Sequence, residues 1–141
     1  MRVTIAIADT DEAIAGCHRV MQQLRPHISA EAFVPRVRVQ QANGYILAAL
    51  ADDGAVRAVA GYRYIENLYS GRVLYVDDLV TDDTTRSHGY GKALFDWLVA
   101  EARARACHTL ELDSGVQRFG AHRFYLARRM DIVAHHFRLP L

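Results

Sequence analysis

The sequence predicts an α/β protein built around a mixed sheet, on two observations. Three strand-like runs, 45–51, 56–65 and 73–80, follow one another through turn signals at Asp52-Asp53-Gly54 and Ser70-Gly71, the pattern of an antiparallel meander. Beyond them a helical periodicity, a further strand-like run and a second helical stretch alternate, and a strand-helix-strand crossover calls for parallel neighbours.

Taken in order, Val3, Ile5 and Ile7 alternate as a short strand over residues 3–8, and Asp9 stands three before Glu12 in an N-cap arrangement. Ile14, Cys17, Val20, Met21 and Leu24 recur at helical spacing until Pro26 ends the helix. Residues 31–41 predict a second helix, with Phe33 and Val37 on one side, Pro35 in the first turn and Asn43-Gly44 as its stop. After the meander, residues 90–106 place Leu94, Phe95, Leu98 and Ala102 on one helical face, flanked by Trp97, and Lys92, Asp96 and Arg103 on the other. A strand over 108–113 leads through Ser114 and Gln117, spaced as a capping box, into a helix reaching about Arg129. Residues 131–138 are expected to close the chain as a strand, giving the order β-α-α-β-β-β-α-β-α-β in one domain, 1–141.

Composition bounds what such a domain does. At 141 residues the chain makes one domain with a real core, burying roughly two-thirds of its unfolded surface. Seventeen basic against sixteen acidic side chains leave no bulk field for nucleic acid or an anionic membrane, so neither is an expected partner. Cys17 and Cys107 lie far apart with no paired spacing, as in reduced cytosolic proteins. The first residues fit neither a signal nor a transit peptide, and no apolar run approaches a membrane span, so a cytoplasmic location is expected. Sixteen of the seventeen cations are Arg; the one lysine is Lys92.

That lysine lies in the most informative segment, Arg86-Ser87-His88-Gly89-Tyr90-Gly91-Lys92, between a strand and a helix start. A helix start leaves about four backbone N–H groups without partners and carries roughly half a positive charge, which attracts phosphate oxygens. Gly89 can take a positive φ, Gly91 has no side chain to hold a diphosphate away, Arg86 adds a forked donor and Lys92 a mobile charge. Two familiar phosphate loops do not fit. A P-loop ending at Gly91-Lys92 needs glycine where Arg86 stands and a hydroxyl where Ala93 stands; a dinucleotide fingerprint from Gly89 needs Gly or Ala where Leu94 stands. What remains is Arg-x-x-Gly-x-Gly.

In that position, after Val76-Asp77-Asp78-Leu79-Val80-Thr81 and before Lys92-Ala93-Leu94-Phe95, the loop resembles the acetyl-CoA diphosphate loop of the GCN5-related N-acetyltransferase (GNAT) superfamily. Downstream, Ala121-His122-Arg123-Phe124-Tyr125 is similar to the family's Ala-x-x-Phe/Leu-Tyr segment. The likeness is close from about Leu74 to Met130 and rests on element order before that. It departs at Arg118, where the family often has Asn, and at Arg129-Met130, where it often has Gly-Phe.

The resemblance implies direct acetyl transfer from acetyl-CoA to a primary amine of a small molecule or peptide. It implies Tyr125 as the acid that protonates the departing thiolate, and Asp77, matching the family's acidic position before the strand leucine, as the group receiving the amine's charge or proton. Backbone at Leu79 and Val80 is expected to pair with the pantetheine arm, with Thr81 and residues 86–92 completing the cofactor site. Because adjacent strand residues face opposite ways, Asp77 and Asp78 are not expected to share one cleft. Glu66 is a weaker base, and Tyr62 and Tyr64 lie on one strand face that can line an acceptor pocket. The seven histidines show no metal-ligand spacing, so no metal is expected. The family's frequent dimers make a homodimer an expectation. The alternative is a non-catalytic acyl-CoA-binding or regulatory module, which the departures at Arg118 and Arg129-Met130 suggest.

Overall fold

A computed structural model describes residues 2–141. The elements are β1 (Val3–Ile7), α1 (Asp11–Gly16), α2 (His18–Leu24), α3 (Ala30–Gln41), β2 (Ile46–Asp52), β3 (Ala55–Asn67), β4 (Gly71–Thr81), a 3-10 turn (Asp83–Thr85), α4 (Tyr90–Ala104), β5 (Thr109–Leu112) and α5 (Phe119–Ala127). The chain divides into two compact units, one running to Glu111 and the other Leu112–Leu141. No helix of the described residues is long and apolar enough to cross a membrane.

The strands stand in chain order, β1-β2-β3-β4-β5, in a mixed sheet. The pairs from β1 to β4 are antiparallel, as their short turns require. The residues that recur at helical spacing in the N-terminal third, Ile14, Cys17, Val20, Met21, Phe33 and Val37, are buried against Tyr45, Leu47, Val59 and Val80 of the sheet region. Burial pushes the Cys17 thiol up to about 11, so it is an inert core thiol. On α4 the apolar face is the one predicted, with Leu94, Phe95, Leu98 and Ala102 all buried, and Trp97 meets Tyr62 edge to face at 6.2 Å.

Several boundaries differ from expectation. The first helix is two, interrupted around Gly16 and Cys17, where a low-propensity glycine meets a tightened turn from Cys17 N to Ile14 O at 2.9 Å. Its cap is Thr10 rather than Asp9: Thr10 is the extended residue immediately before the helix, and its side chain accepts from Ala13 N. Pro35 lies beyond the first turn of α3, which Ser29 caps; burial of Phe33 and Val37 on either side holds that helix despite the missing donor.

In the second unit Ser114 and Gln117 do not form a capping box. Helix α5 begins later, after Arg118, with no side-chain cap, and the Gly115 carbonyl accepts from Arg118 N and His122 Nε2. The expected final strand is absent, and residues 130–141 are neither helix nor strand. A strand exists only through its partner, and the sheet has no sixth member; the adjacent pairs Ile132-Val133 and His135-His136 also break the alternation that a half-buried strand needs.

Candidate acetyl-CoA and acceptor site

The loop from β4 to α4 is shaped by backbone geometry. Ser87 and Gly89 both have positive φ, 74° and 78°, and Gly89 is the N-cap of α4 with no side-chain cap. Its carbonyl accepts from Ala93 N at 3.0 Å, the first intrahelical bond, so the amides of Tyr90, Gly91 and Lys92 have no partner within the helix. This is a helix start with its donors open, as an anion site requires.

The side chains of the segment divide by task. Arg86, Ser87, His88 and Gly89 are exposed. His88 Nδ1 lies 2.8 Å from the Thr85 carbonyl, and its ring stacks on Tyr90 at 5.5 Å and 7°. Tyr90 is buried and donates its hydroxyl to Asp52 on β2, so its side chain fixes the helix start and only its amide is open to a ligand. Lys92 pairs with Asp96 one turn later at 2.7 Å, both exposed. The helix therefore supplies Lys92 with an anion of its own, and its place in the first turn needs no ligand to explain it.

Leu79, Val80 and Thr81 pair with Ala60, Val59 and Ala58 on β3. On the other side of β4, the β5 edge begins where His108 N donates to the Arg72 carbonyl at 2.7 Å, and β5 is only four residues long. A strand of that length starting beside Arg72 stops short of Asp77, so no strand of the sheet covers the outer edge of residues 77–81.

The carboxylates upstream depart from expectation. Gly61 pairs with Asp78 but Tyr62 pairs with Val76, so Asp77 is the extra residue of a β-bulge. The bulge overrides strict alternation, and both carboxylates find partners on the side covered by α2. Arg63 Nε and Nη2 donate to Asp77 at 2.7 and 2.8 Å. Arg25, which ends α2, donates to Asp78 at 2.9 Å and to the Asp77 carbonyl at 3.0 Å, and Tyr45 donates to Asp78 at 2.8 Å. Asp82 is likewise no open carboxylate: it is fully buried and salt-bridged to Arg19 and Arg57. Tyr62 is buried in the core at 1% exposure and is unavailable to line an acceptor pocket, whereas Tyr64 is half-buried with Arg105 over its ring at 5.1 Å. Glu66 is exposed near the end of β3.

Arg25, Tyr45 and Arg63 were not legible as site residues. A bulge has no sequence signature, and an arginine partner is found only once the strands are in register. Among the described residues no group of three or more His, Cys, Asp or Glu side chains is placed to hold a metal ion.

In the second unit Tyr125 is half-buried on α5, edge to face with Phe124 at 5.7 Å. Burial raises its pKa above the ordinary phenol value, with Arg118 opposing the shift. The phenol is thus protonated at neutral pH, as an acid must be.

An open helix start after a glycine turn thus stands beside a stretch of β4 whose outer edge no strand of the sheet covers. Residues 7–130 match the acetyltransferase (GNAT) family. The uncharacterized N-acetyltransferase YhdJ of Bacillus subtilis (strain 168) is 35% identical over 132 residues, covering 92% of this chain and 93% of that protein. In fold the chain is similar to ribosomal-protein-alanine N-acetyltransferase from Brucella melitensis biovar Abortus 2308, with a TM-score of 0.83, 16% identity and 100% of each chain covered. It is also similar to the aminoglycoside N-acetyltransferase AAC(6')-Iy in complex with CoA, with a TM-score of 0.82, 14% identity and coverage of 100% of this chain and 97% of that one. The chain belongs to the GNAT family and is an acetyl-CoA-dependent N-acetyltransferase.

Proposed function

We propose that the protein moves an acetyl group from acetyl-CoA directly to a primary amine of a small molecule or peptide in the cytoplasm. The observation that carries the donor half is the open start of α4 behind Gly89, whose left-handed φ turns the loop while Tyr90, Gly91 and Lys92 keep unpartnered amides. Those amides, with the backbone of Ser87, His88 and Gly89, hold the diphosphate, and exposed Arg86 adds a forked cation. The uncovered edge of Leu79, Val80 and Thr81 takes the pantetheine arm as a neighbouring strand would lie. The two units form one catalytic domain, a reading supported by a family match that runs across both.

Acetyl-CoA supplies an activated thioester, and the chain supplies orientation and proton handling. Tyr125, kept protonated by burial, gives its proton to the departing sulfur. Asp77 draws the cationic acceptor, with Arg63 releasing one or both carboxylate oxygens as the amine arrives. A screen of CoA release over diamines, aminoglycosides, amino acids and N-terminal peptides tests catalysis and acceptor class together. Acetyl-CoA-dependent release with at least one primary amine is the expected result; release with none overturns the reading.

A further inference from the structure

We infer that Asp82 is a positioning residue for the diphosphate loop: its buried carboxylate roots the segment that carries the α4 start, and so sets affinity for CoA without touching it. The inference rests on the reading of residues 86–92 as the diphosphate site.

Asp82 follows β4 directly and is fully buried, yet each carboxylate oxygen is engaged. Arg19 of α2 donates to it at 2.7 Å and Arg57 of β3 at 3.3 Å. Gln23 donates at 3.2 Å, Thr84 N at 3.2 Å and Thr84 Oγ1 at 3.0 Å. Its own backbone is held as well: its N–H donates to the Arg57 carbonyl at 2.7 Å, and its carbonyl accepts from Thr85 N at 3.0 Å and Thr85 Oγ1 at 3.2 Å. The Gln23 amide oxygen in turn accepts from Asp83 N at 2.9 Å.

These bonds fix the 3-10 turn Asp83–Thr85, and the turn passes the constraint on. Thr85 presents its carbonyl to His88 Nδ1 at 2.8 Å, and His88 stacks on Tyr90, the first residue of α4. Asp83, Thr84, Arg86, Ser87, His88 and Gly89 are all exposed, so apolar packing does not hold them, and Ser87 and Gly89 carry left-handed backbone that a free loop rarely adopts together. A buried ion pair is weak evidence of stabilisation in itself, since well-packed apolar residues do as well. What it does supply is directionality. All of these donors converge on one carboxylate, which defines where the loop begins, and a loop already shaped for its ligand loses less freedom on binding.

The test is calorimetric CoA binding together with amide hydrogen exchange, on the full chain and on Asp82→Asn and Gln23→Leu. Asn turns an amide N–H₂ toward donors and removes the charge; Leu leaves the carboxylate with both arginines and removes only the two Gln23 hydrogen bonds, to Asp82 and from Asp83 N. The expected result is CoA binding weakened about tenfold or more in Asp82→Asn and a few-fold in Gln23→Leu. Exchange should quicken most in residues 83–92, beyond the uniform change that the variant's lower global stability imposes on the sheet and the later turns of α4. Parent-like affinity in a folded Asp82→Asn overturns the inference, and so does exchange that quickens no more in residues 83–92 than in the sheet. If Asp82→Asn does not fold, Gln23→Leu decides: unchanged affinity and unchanged protection of 83–92 overturn it. A parent protein that does not bind CoA at all overturns the loop reading itself, a result distinct from either.

Discussion

The ring of Tyr45 lies in the space that a Cβ on Gly61 would occupy, and its hydroxyl reaches over β3 to donate to Asp78 at 2.8 Å. Glycine at 61 is therefore a packing requirement, set by the close passage of an aromatic ring next to the β4 bulge. Gly61→Ala is expected to cost about 2 kcal/mol by overpacking and to lower the melting temperature by about 7 °C. Tyr45→Phe, which keeps the ring and removes the donor, should cost about 1 kcal/mol. Denaturant melts of the two variants check both figures, and equal costs would show that the ring is not the constraint.

Much of this arrangement was written in the chain, and its limits are physical. The apolar stripe of α4, the meander and the glycine loop follow from periodicity and turn chemistry, which are local. The pairing of Asp77 with Arg63 is not, because it depends on one extra residue in β4 that places both carboxylates on the α2 side. The role of Asp82 was hidden for a similar reason: Arg19, Gln23 and Arg57 come from elements that only the folded sheet brings together. The missing final strand has a local cause that periodicity could show: the adjacent pairs Ile132-Val133 and His135-His136 break the alternation a half-buried strand needs.

Gly89 is the position where the loop tolerates least. Open space surrounds a Cβ built there, so a side chain meets no steric wall, but φ of 78° strains any L residue. Gly89→Ala should cost about 1 kcal/mol of stability, and Gly89→Val, β-branched, should twist the loop away from this conformation. Loss of calorimetric CoA binding in a folded Gly89→Val is the expected outcome; undiminished affinity would remove the loop from the donor site.

For Asp77 the expectation is selective. Asp77→Asn should lower kcat/KM for the amine about tenfold to a hundredfold while leaving the KM for acetyl-CoA close to that of the parent. Steady-state kinetics with each substrate varied in turn separates the two. A change in the acetyl-CoA term alone would assign the carboxylate to strand architecture.

Tyr125 is raised above the ordinary phenol pKa near 10 by its burial. A general acid acts in its protonated form, so with Tyr125 in that role a raised value extends activity toward alkaline pH, and the limb that reports phenol ionisation should fall above the ordinary phenol value. Tyr125→Phe should reduce kcat about a hundredfold and abolish that limb. A pH profile of kcat on parent and variant tests this, and an unchanged rate would end the general-acid assignment.

Stability should depend on acid through Asp82. Hydrogen bonding from Arg19, first among the causes, holds this carboxyl well below its ordinary value near 4, and Thr84 and Gln23 add to the effect against the opposing penalty of burial. The folded pKa lies below the unfolded one, so the unfolded chain takes up a proton first as pH falls. The contribution is full above the unfolded value and is lost progressively below about pH 4, on the way to the folded value. Because Arg19 is half exposed, the pair contributes less than a fully desolvated one, and Asp82→Asn should cost about 2 kcal/mol at neutral pH. Urea unfolding of parent and variant at pH 7 and pH 3 checks the sign: the gap between them should narrow in acid, and a gap that widens or stays constant would assign the acid sensitivity to other carboxylates.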